Sequence, residues 1–330
     1  METIVFKNKP SIISTYSIVG PKESESPLKK CFDLKLSDDK FGQSTYEKAE
    51  SKMLTTAIKN VIKKANLSES DIDTMILGDL LNQNISTSFS ARNFCIPLLG
   101  VYSACSSITE SLVFASTLID GGYLKKVVTS TVSHFSTAER QYRYPLELGS
   151  VRPPQAQWTV TGAGSFLLSN DKGFPFISNA TIGTVTDYGV TDVNNMGAAM
   201  APACMNTIKN HLKNTNTVVE DYDLIVSGDL GALGSRLLKH LCQKEGIDLS
   251  RNHVDCGELI YNIEEKEFQG GSGAGCSAVV FASYIYPKLL KKQLKRVLFC
   301  ATGALLSTVS SQQGESIPSI SHAITVECYD

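Results

Sequence analysis

The chain is thinly charged, has no paired cysteines and has no long apolar run. Asp, Glu, Lys and Arg supply 19% of its 330 residues, against an ordinary share of about 25%. Such a chain has either a large interior or an extensive subunit interface. The 31 basic and 33 acidic residues leave a net charge of −2, so there is no basic field to hold nucleic acid. Nine cysteines are present, with no Cys-x-x-Cys pair and no Cys/His cluster at zinc spacing. Free thiols in a reducing compartment follow, with no metal site. Met1 to Pro10 lacks the apolar stretch of a signal peptide. No run reaches ~18 apolar residues, so no spanning segment is expected and only peripheral membrane attachment stays open.

What is present is periodicity. Residues 1–45 read as irregular, with Pro21, Pro27 and many Ser, Lys and Asp. From Thr45 onward Ala49, Met53, Ala57, Ile58, Val61 and Ile62 recur at helical spacing. Residues 74–78, 96–102 and 127–132 read as buried strands, and 108–119 as a helix closed by Gly121 and Gly122. This alternation predicts parallel sheet with crossover helices.

An internal repeat runs through the chain. Asp71-Ile-Asp-Thr-Met-Ile-Leu-Gly-Asp-Leu80 returns 150 residues later as Asp221-Tyr-Asp-Leu-Ile-Val-Ser-Gly-Asp-Leu230. Val113-Phe-Ala-Ser116 returns after 167 as Val280-Phe-Ala-Ser283, and Lys126-Val-Val after 170 as Arg296-Val-Leu. The fragments keep their order, which points to a duplicated α/β domain. The halves are placed at 1–171, carrying Cys105, and 172–330, carrying a glycine loop at 269–277.

Ligands of open parallel sheets collect beyond the carboxyl ends of the strands. Cys105, in Tyr102-Ser-Ala-Cys105-Ser106, follows a strand and opens a helix, where orphan N–H groups lower a thiol pKa. It reads either as a thiolate nucleophile or as a small buried hydrophobe. The counterpart in the second half is Gln269-Gly-Gly271-Ser272-Gly-Ala-Gly-Cys276. That run fits neither a dinucleotide fingerprint nor a P-loop. Its glycines serve close packing between the halves or close approach to a ligand.

These features resemble the thiolase and ketoacyl synthase superfamily. The loop Gly78-Asp-Leu-Leu-Asn-Gln-Asn84, the turn Val160-Thr-Gly-Ala-Gly164-Ser and the glycine loop from Gly270 to Ser277 are similar to its motifs. The resemblance implies a thiolase-like α/β fold, with duplicated βαβαβ halves in a layered α/β/α/β/α arrangement. A narrower resemblance covers nearly the whole chain. The Gly78 loop, Ala104-Cys-Ser, Ser133-His, Thr137-Ala-Glu, Met200-Ala-Pro, Ala301-Thr-Gly-Ala-Leu-Leu-Ser and Gln312-Gln look like the stage V sporulation protein AD family of spore-forming Firmicutes. That family is thiolase-like and binds dipicolinic acid, pyridine-2,6-dicarboxylate. With membrane proteins of the same operon it moves calcium dipicolinate into and out of the spore, which implies a peripheral place on the cytoplasmic face of the spore inner membrane.

The chain departs from a condensing enzyme where acid/base chemistry is needed. Asp229 stands after the strand at 224–227 and Gly271 stands in the glycine loop, where the superfamily resemblance would call for His or Asn. A carboxylate beside Cys105 would raise its thiol pKa. The nearest His residues in sequence, His240 and His253, read as surface residues. The expectation is therefore a binding protein with Cys105 as a vestigial nucleophile. The rival is an acyltransferase acting on thioesters through Cys105. Two carboxylates call for cations, helix N–H groups or hydroxyls. The ligand candidates are Cys105, Ser106, His134, Arg140, Arg143, Asp229, Gly271 and Ser272, with Arg152 a further cation and Tyr142 or Tyr144 against the ring. No cofactor is expected apart from Ca²⁺ carried with the ligand. The thiolase-like loop from Asp79 to Ser90 implies a homodimer.

Overall fold

The computed structural model describes residues 2–142, 152–262 and 269–329. In the first half the strands are β1 (Thr3–Val5), β2 (Ser11–Val19), β3 (Leu34–Lys35), β4 (Thr74–Gly78), β5 (Leu98–Gly100), β6 (Lys126–Ser133), β7 (Trp158–Thr159) and β8 (Gly162–Ser169). In the second half they are β9 (Phe176–Thr181), β10 (Leu224–Gly228), β11 (His253–Asp255), β12 (Gly271–Ser272), β13 (Arg296–Ala304) and β14 (Ser319–Glu327). The helices used below are α1 (Tyr46–Lys64), α2 (Ile85–Ala91), α3 (Ser107–Asp120), α4 (Phe135–Tyr142), α5 (Met196–Thr215), α6 (Gly231–Lys244), α7 (Cys256–Ile260), α8 (Cys276–Val280) and α9 (Tyr286–Leu290).

The strands pair in the order β2-β8-β6-β4-β5 in the first half and β9-β14-β13-β10-β11 in the second. The senses repeat as well. In each half the first two neighbouring pairs are antiparallel and the last two parallel. The two sets meet where β2 touches β9, at Ser11 and Phe176.

Helix α1 lies on β8, β2 and β6, and α5 lies on β14 and β13. Between the sheets, α3 touches β6 and β4 of its own half and β14 and β13 of the other. Helix α8 touches β8, β2 and β6 across the halves and β10 of its own. The result is the α/β/α/β/α stack. Its central layer is apolar, with Ile108, Leu112, Val279 and Phe281 fully buried, and Phe299 of β13 stacks on Phe281 with ring centroids 4.4 Å apart.

Local chemistry sets the ends of these elements. Thr45 caps α1 through its hydroxyl, which accepts the Lys48 amide at 3.3 Å. Asp73 accepts the amides of Lys125 and Lys126 at 2.6 and 2.8 Å. Asp223 does the same for Lys295 and Arg296 at 2.6 and 2.9 Å. These matched pairs fix the repeat at 150 residues before the central helix and 170 after it.

Helix α3 obeys the offset of 170. Its end bonds Gly121 N to Thr117 O and Tyr123 N to Leu118 O, and the second half bonds Lys291 N to Pro287 O and Gln293 N to Lys288 O. The Val-Phe-Ala-Ser match at 167 is therefore a coincidence of composition.

The segment 1–45 differs from its reading as irregular. Ser11–Val19 is a nine-residue central strand. Its polar residues hid it, and the fold satisfies two of them through distant partners. Thr15 donates to the Ala282 carbonyl at 2.9 Å, and Ser17 meets Asp33 at 3.0 Å.

Candidate functional site

The site forms where the start of the first central helix meets the second half. Ala104 is held at φ +51°, a region that residues with a Cβ avoid. The turn is braced by its own serines. Ser106 donates both its amide (3.1 Å) and its hydroxyl (2.7 Å) to the Ser103 carbonyl. The Ser107 hydroxyl donates to Ala104 O at 2.8 Å and accepts Ser103 N at 3.1 Å. From the other half, β13 presses on the turn at Gly303, where a Cβ would stand 2.0 Å from Ser103 O.

Cys105 emerges from this turn almost buried, at 6% exposure. It lines a narrow cavity of about 40 Å³ with Leu80, Tyr102 and Tyr142 of the first half and Met196, Ser272 and Leu306 of the second. The Tyr102 and Tyr142 oxygens are 2.8 Å apart. Burial first, and their mutual contact next, push the Tyr142 phenol far above its usual pKa. Burial also raises that of Tyr102. Both phenols keep their protons at neutral pH.

Of the candidates read from sequence, Cys105 and Ser272 line the same cavity. Ser106 is spent on the turn. The His134 ring points elsewhere, with Nε2 2.7 Å from the Asp39 carbonyl and Nδ1 accepting the Ser136 amide at 3.1 Å. Those partners place the proton on Nε2, and burial lowers the ring's pKa. Arg140 reaches the half-exposed Glu47 at 3.6 Å and faces a different cleft, lined by Leu81, Gln83 and Thr137. Arg152 pairs with Glu139 at 3.0 Å and lies over the Trp158 ring. Arg143 and Tyr144 lie outside the described residues. Gly271 O accepts from the Gln157 amide at 3.3 Å.

Asp229 is fully buried, its carboxyl facing Cys276 and Ser277 at the start of α8. Neither carboxyl oxygen has a hydrogen bond of ordinary geometry among the described residues. Burial, and then the Asp255 carboxylate, hold its pKa well above the usual range. It is the repeat partner of Asp79, whose carboxyl accepts Leu81 N and Thr87 N, both at 2.7 Å.

His240 is exposed on α6, as read, but His253 is not on the surface. It sits in β11 at 8% exposure with Nε2 2.8 Å from Ser227 Oγ, and burial lowers its pKa to about 3. Its polar sequence neighbours concealed a strand three residues long. Tyr102, Thr159, Met196 and Leu306 also line the cavity. Only Tyr102 carried a usable signal, standing two residues beyond β5 and three before Cys105.

Comparison with known proteins follows the same lines. The model of the family described as Stage V sporulation protein AD (SpoVAD) matches residues 1–327. Stage V sporulation protein AD of Bacillus subtilis (strain 168) is 43% identical over 326 residues, covering 99% of this chain and 96% of that protein. The 3-oxoacyl-[acyl-carrier-protein] synthase III of Aquifex aeolicus VF5 superposes with a TM-score of 0.59 at 15% identity, over 96% of this chain and 99% of that one. A single-substitution variant of Xanthomonas campestris OleA gives 0.62 at 13% identity, over 98% and 99%. At such identities the likeness is one of fold, and the fold is thiolase-like.

Proposed function

The chain belongs to the stage V sporulation protein AD family, and from that membership we propose that it binds dipicolinate rather than transferring acyl groups. In this reading it takes part in moving dipicolinate into and out of the spore, with Ca²⁺ entering only as the ligand's counter-ion. The ligand occupies the cavity between Cys105 and Ser272. One carboxylate lies toward the helix start at Cys105, and Arg143 serves the other.

The observation that carries the reading is the employment of the five histidines. His134 holds the Asp39 carbonyl, His211 bridges Thr181 and Thr325, His253 bonds Ser227, and His322 accepts the Gly183 amide. His240 is exposed on α6. None lines the Cys105 cavity, so no imidazole is poised there to take the thiol proton.

Calorimetric titration with dipicolinate, with and without Ca²⁺, tests this. Saturable one-site heat is expected, and its absence in both titrations overturns the reading. Arg143→Ala should weaken binding about 10- to 100-fold, the worth of a charge-assisted hydrogen bond.

The uncharged, largely apolar lining among the described residues also suits an acyl chain, and it favours the acyltransferase as second reading. Incubation with acetyl-CoA and mass spectrometry separates the two. A stable adduct on Cys105 supports transfer, and an unmodified thiol supports binding.

The same reading includes a homodimer, peripheral on the spore inner membrane beside membrane proteins of its operon. The edge strand β5 exposes Leu98 and Leu99, and the neighbouring α2 exposes Ile85 and Phe89. A second copy would cover this apolar edge. No described helix is long and apolar enough to cross a membrane.

A further inference from the structure

Resting on the dipicolinate reading, we propose that Tyr102 and Tyr142 are the carboxylate-gripping pair of the cavity: they bond each other when it is empty, and part to give both phenol protons to one carboxylate of the ligand.

Three observations lead there. The first is volume. The cavity holds about 40 Å³, roughly three waters at ~10–15 Å³ each on the same measure. A pyridine ring with two carboxylates needs more, so some part of the wall moves. Cys105 and Ser272 are buried and tied to the core. Tyr102 is 44% exposed between neighbours at 7% and 4%, so its ring can turn without opening the backbone.

The second is the count of protons. The Tyr142 oxygen accepts the Gln141 side-chain amide at 3.0 Å, and Tyr102 reaches the Leu80 carbonyl at a long 3.3 Å. The 2.8 Å contact between the phenols uses one of their two protons. Among the described residues the other finds the Leu80 carbonyl at that long distance, so an incoming carboxylate offers it a closer acceptor.

The third is charge. Burial holds both phenols neutral, so they are donors at every working pH. The described lining carries no ionised side chain to compete. Two neutral O–H groups converging beside a helix start suit a carboxylate. The parted rings then stand as walls for an aromatic ring.

The test is calorimetry with dipicolinate on the full chain, comparing the parent with Tyr102→Phe, Tyr142→Phe and the double variant. Phe keeps ring and packing and removes only the O–H. Each single variant should bind about 10-fold more weakly and the double variant roughly 100-fold. NMR of tyrosine labelled with ¹³C at Cζ supplies a readout that a merely packing role would not move. Two phenol resonances should shift on adding dipicolinate, and both should vanish in the double variant. Heat in the parent with Phe variants binding within about twofold of it overturns the assignment while leaving the ligand reading intact. No heat in the parent overturns the ligand reading and this assignment with it.

Discussion

The Tyr261 phenol donates to the buried carboxyl of Glu23, a bond that joins the two halves of the chain across 238 residues. A second bond reaches the same oxygen from the Thr161 amide at 3.1 Å. Burial outweighs both and raises the Glu23 pKa to about 7. Asp255, buried at the end of β11 with the Ser227 hydroxyl and the amides of Leu230, Gly231, Gly257 and Glu258 as donors, is likewise pushed up to about 7.

The stability supplied by Glu23 and Asp255 should therefore fall as pH rises from about 5 to about 7, opposed by His211 and His253, whose pKa values burial lowers to about 3. A raised pKa means that the folded state holds the proton more tightly than the unfolded chain. The stabilisation is complete below the unfolded value near 4.5 and is lost as pH climbs through the folded value. Each such group contributes a slope of up to ~1.4 kcal/mol per pH unit in that window. Urea unfolding at pH 5, 6 and 7 should show Glu23→Gln losing less stability per pH unit, or gaining more, than the parent. Parallel profiles for the two proteins would contradict it.

Cysteine labelling should begin away from the cavity. Cys95 is exposed and Cys31 partly so, whereas Cys105 is buried. Iodoacetamide at pH 7 is expected to reach Cys95 first, Cys31 next and Cys105 last, as peptide mapping would show. Selective early modification of Cys105 would mean an activated thiolate.

Gly303→Ala should damage the cavity without touching a ligand. Its Cβ would stand 2.0 Å from the Ser103 carbonyl that anchors the turn before Cys105. Overpacking of this kind costs about 1–3 kcal/mol. A lowered Tm with dipicolinate binding lost or strongly weakened is the expected pair of results. A variant that binds like the parent would show that the turn is not clamped from β13.

Leu99→Asp should abolish the proposed dimer. Leu99 is 48% exposed on the edge strand β5, where a charge opposes pairing with another copy. Light scattering at micromolar concentration is expected to give a dimer for the parent and a monomer for the variant. A monomeric parent sinks the proposal.

Sequence carried the repeat, the central helices and Cys105, because each was written in contiguous residues. Thr74–Gly78 and the helix after Cys105 were legible within a residue or two. Ser11–Val19 was not, since Ser17 and Thr15 are satisfied by Asp33 and by the Ala282 carbonyl, neither of them a sequence neighbour. His253 was misread for a similar reason, its burial being set by pairing with β10. Cavity walls such as Met196 and Leu306 come from loops that converge only in three dimensions. Nothing local marks them.

The pseudo-symmetry is broken at the one place where it could have doubled the protein's capacity. At the offset of 170, Ser106 N bonds Ser103 O as Cys276 N bonds Gly273 O, so Gly275 stands where Cys105 does. A Cβ there would lie 2.2 Å from the Gly162 carbonyl, and the Gly275 amide is already taken by Ser133 Oγ at 3.0 Å. Backbone fills the second helix start, so a saturated chain should carry one ligand equivalent rather than two.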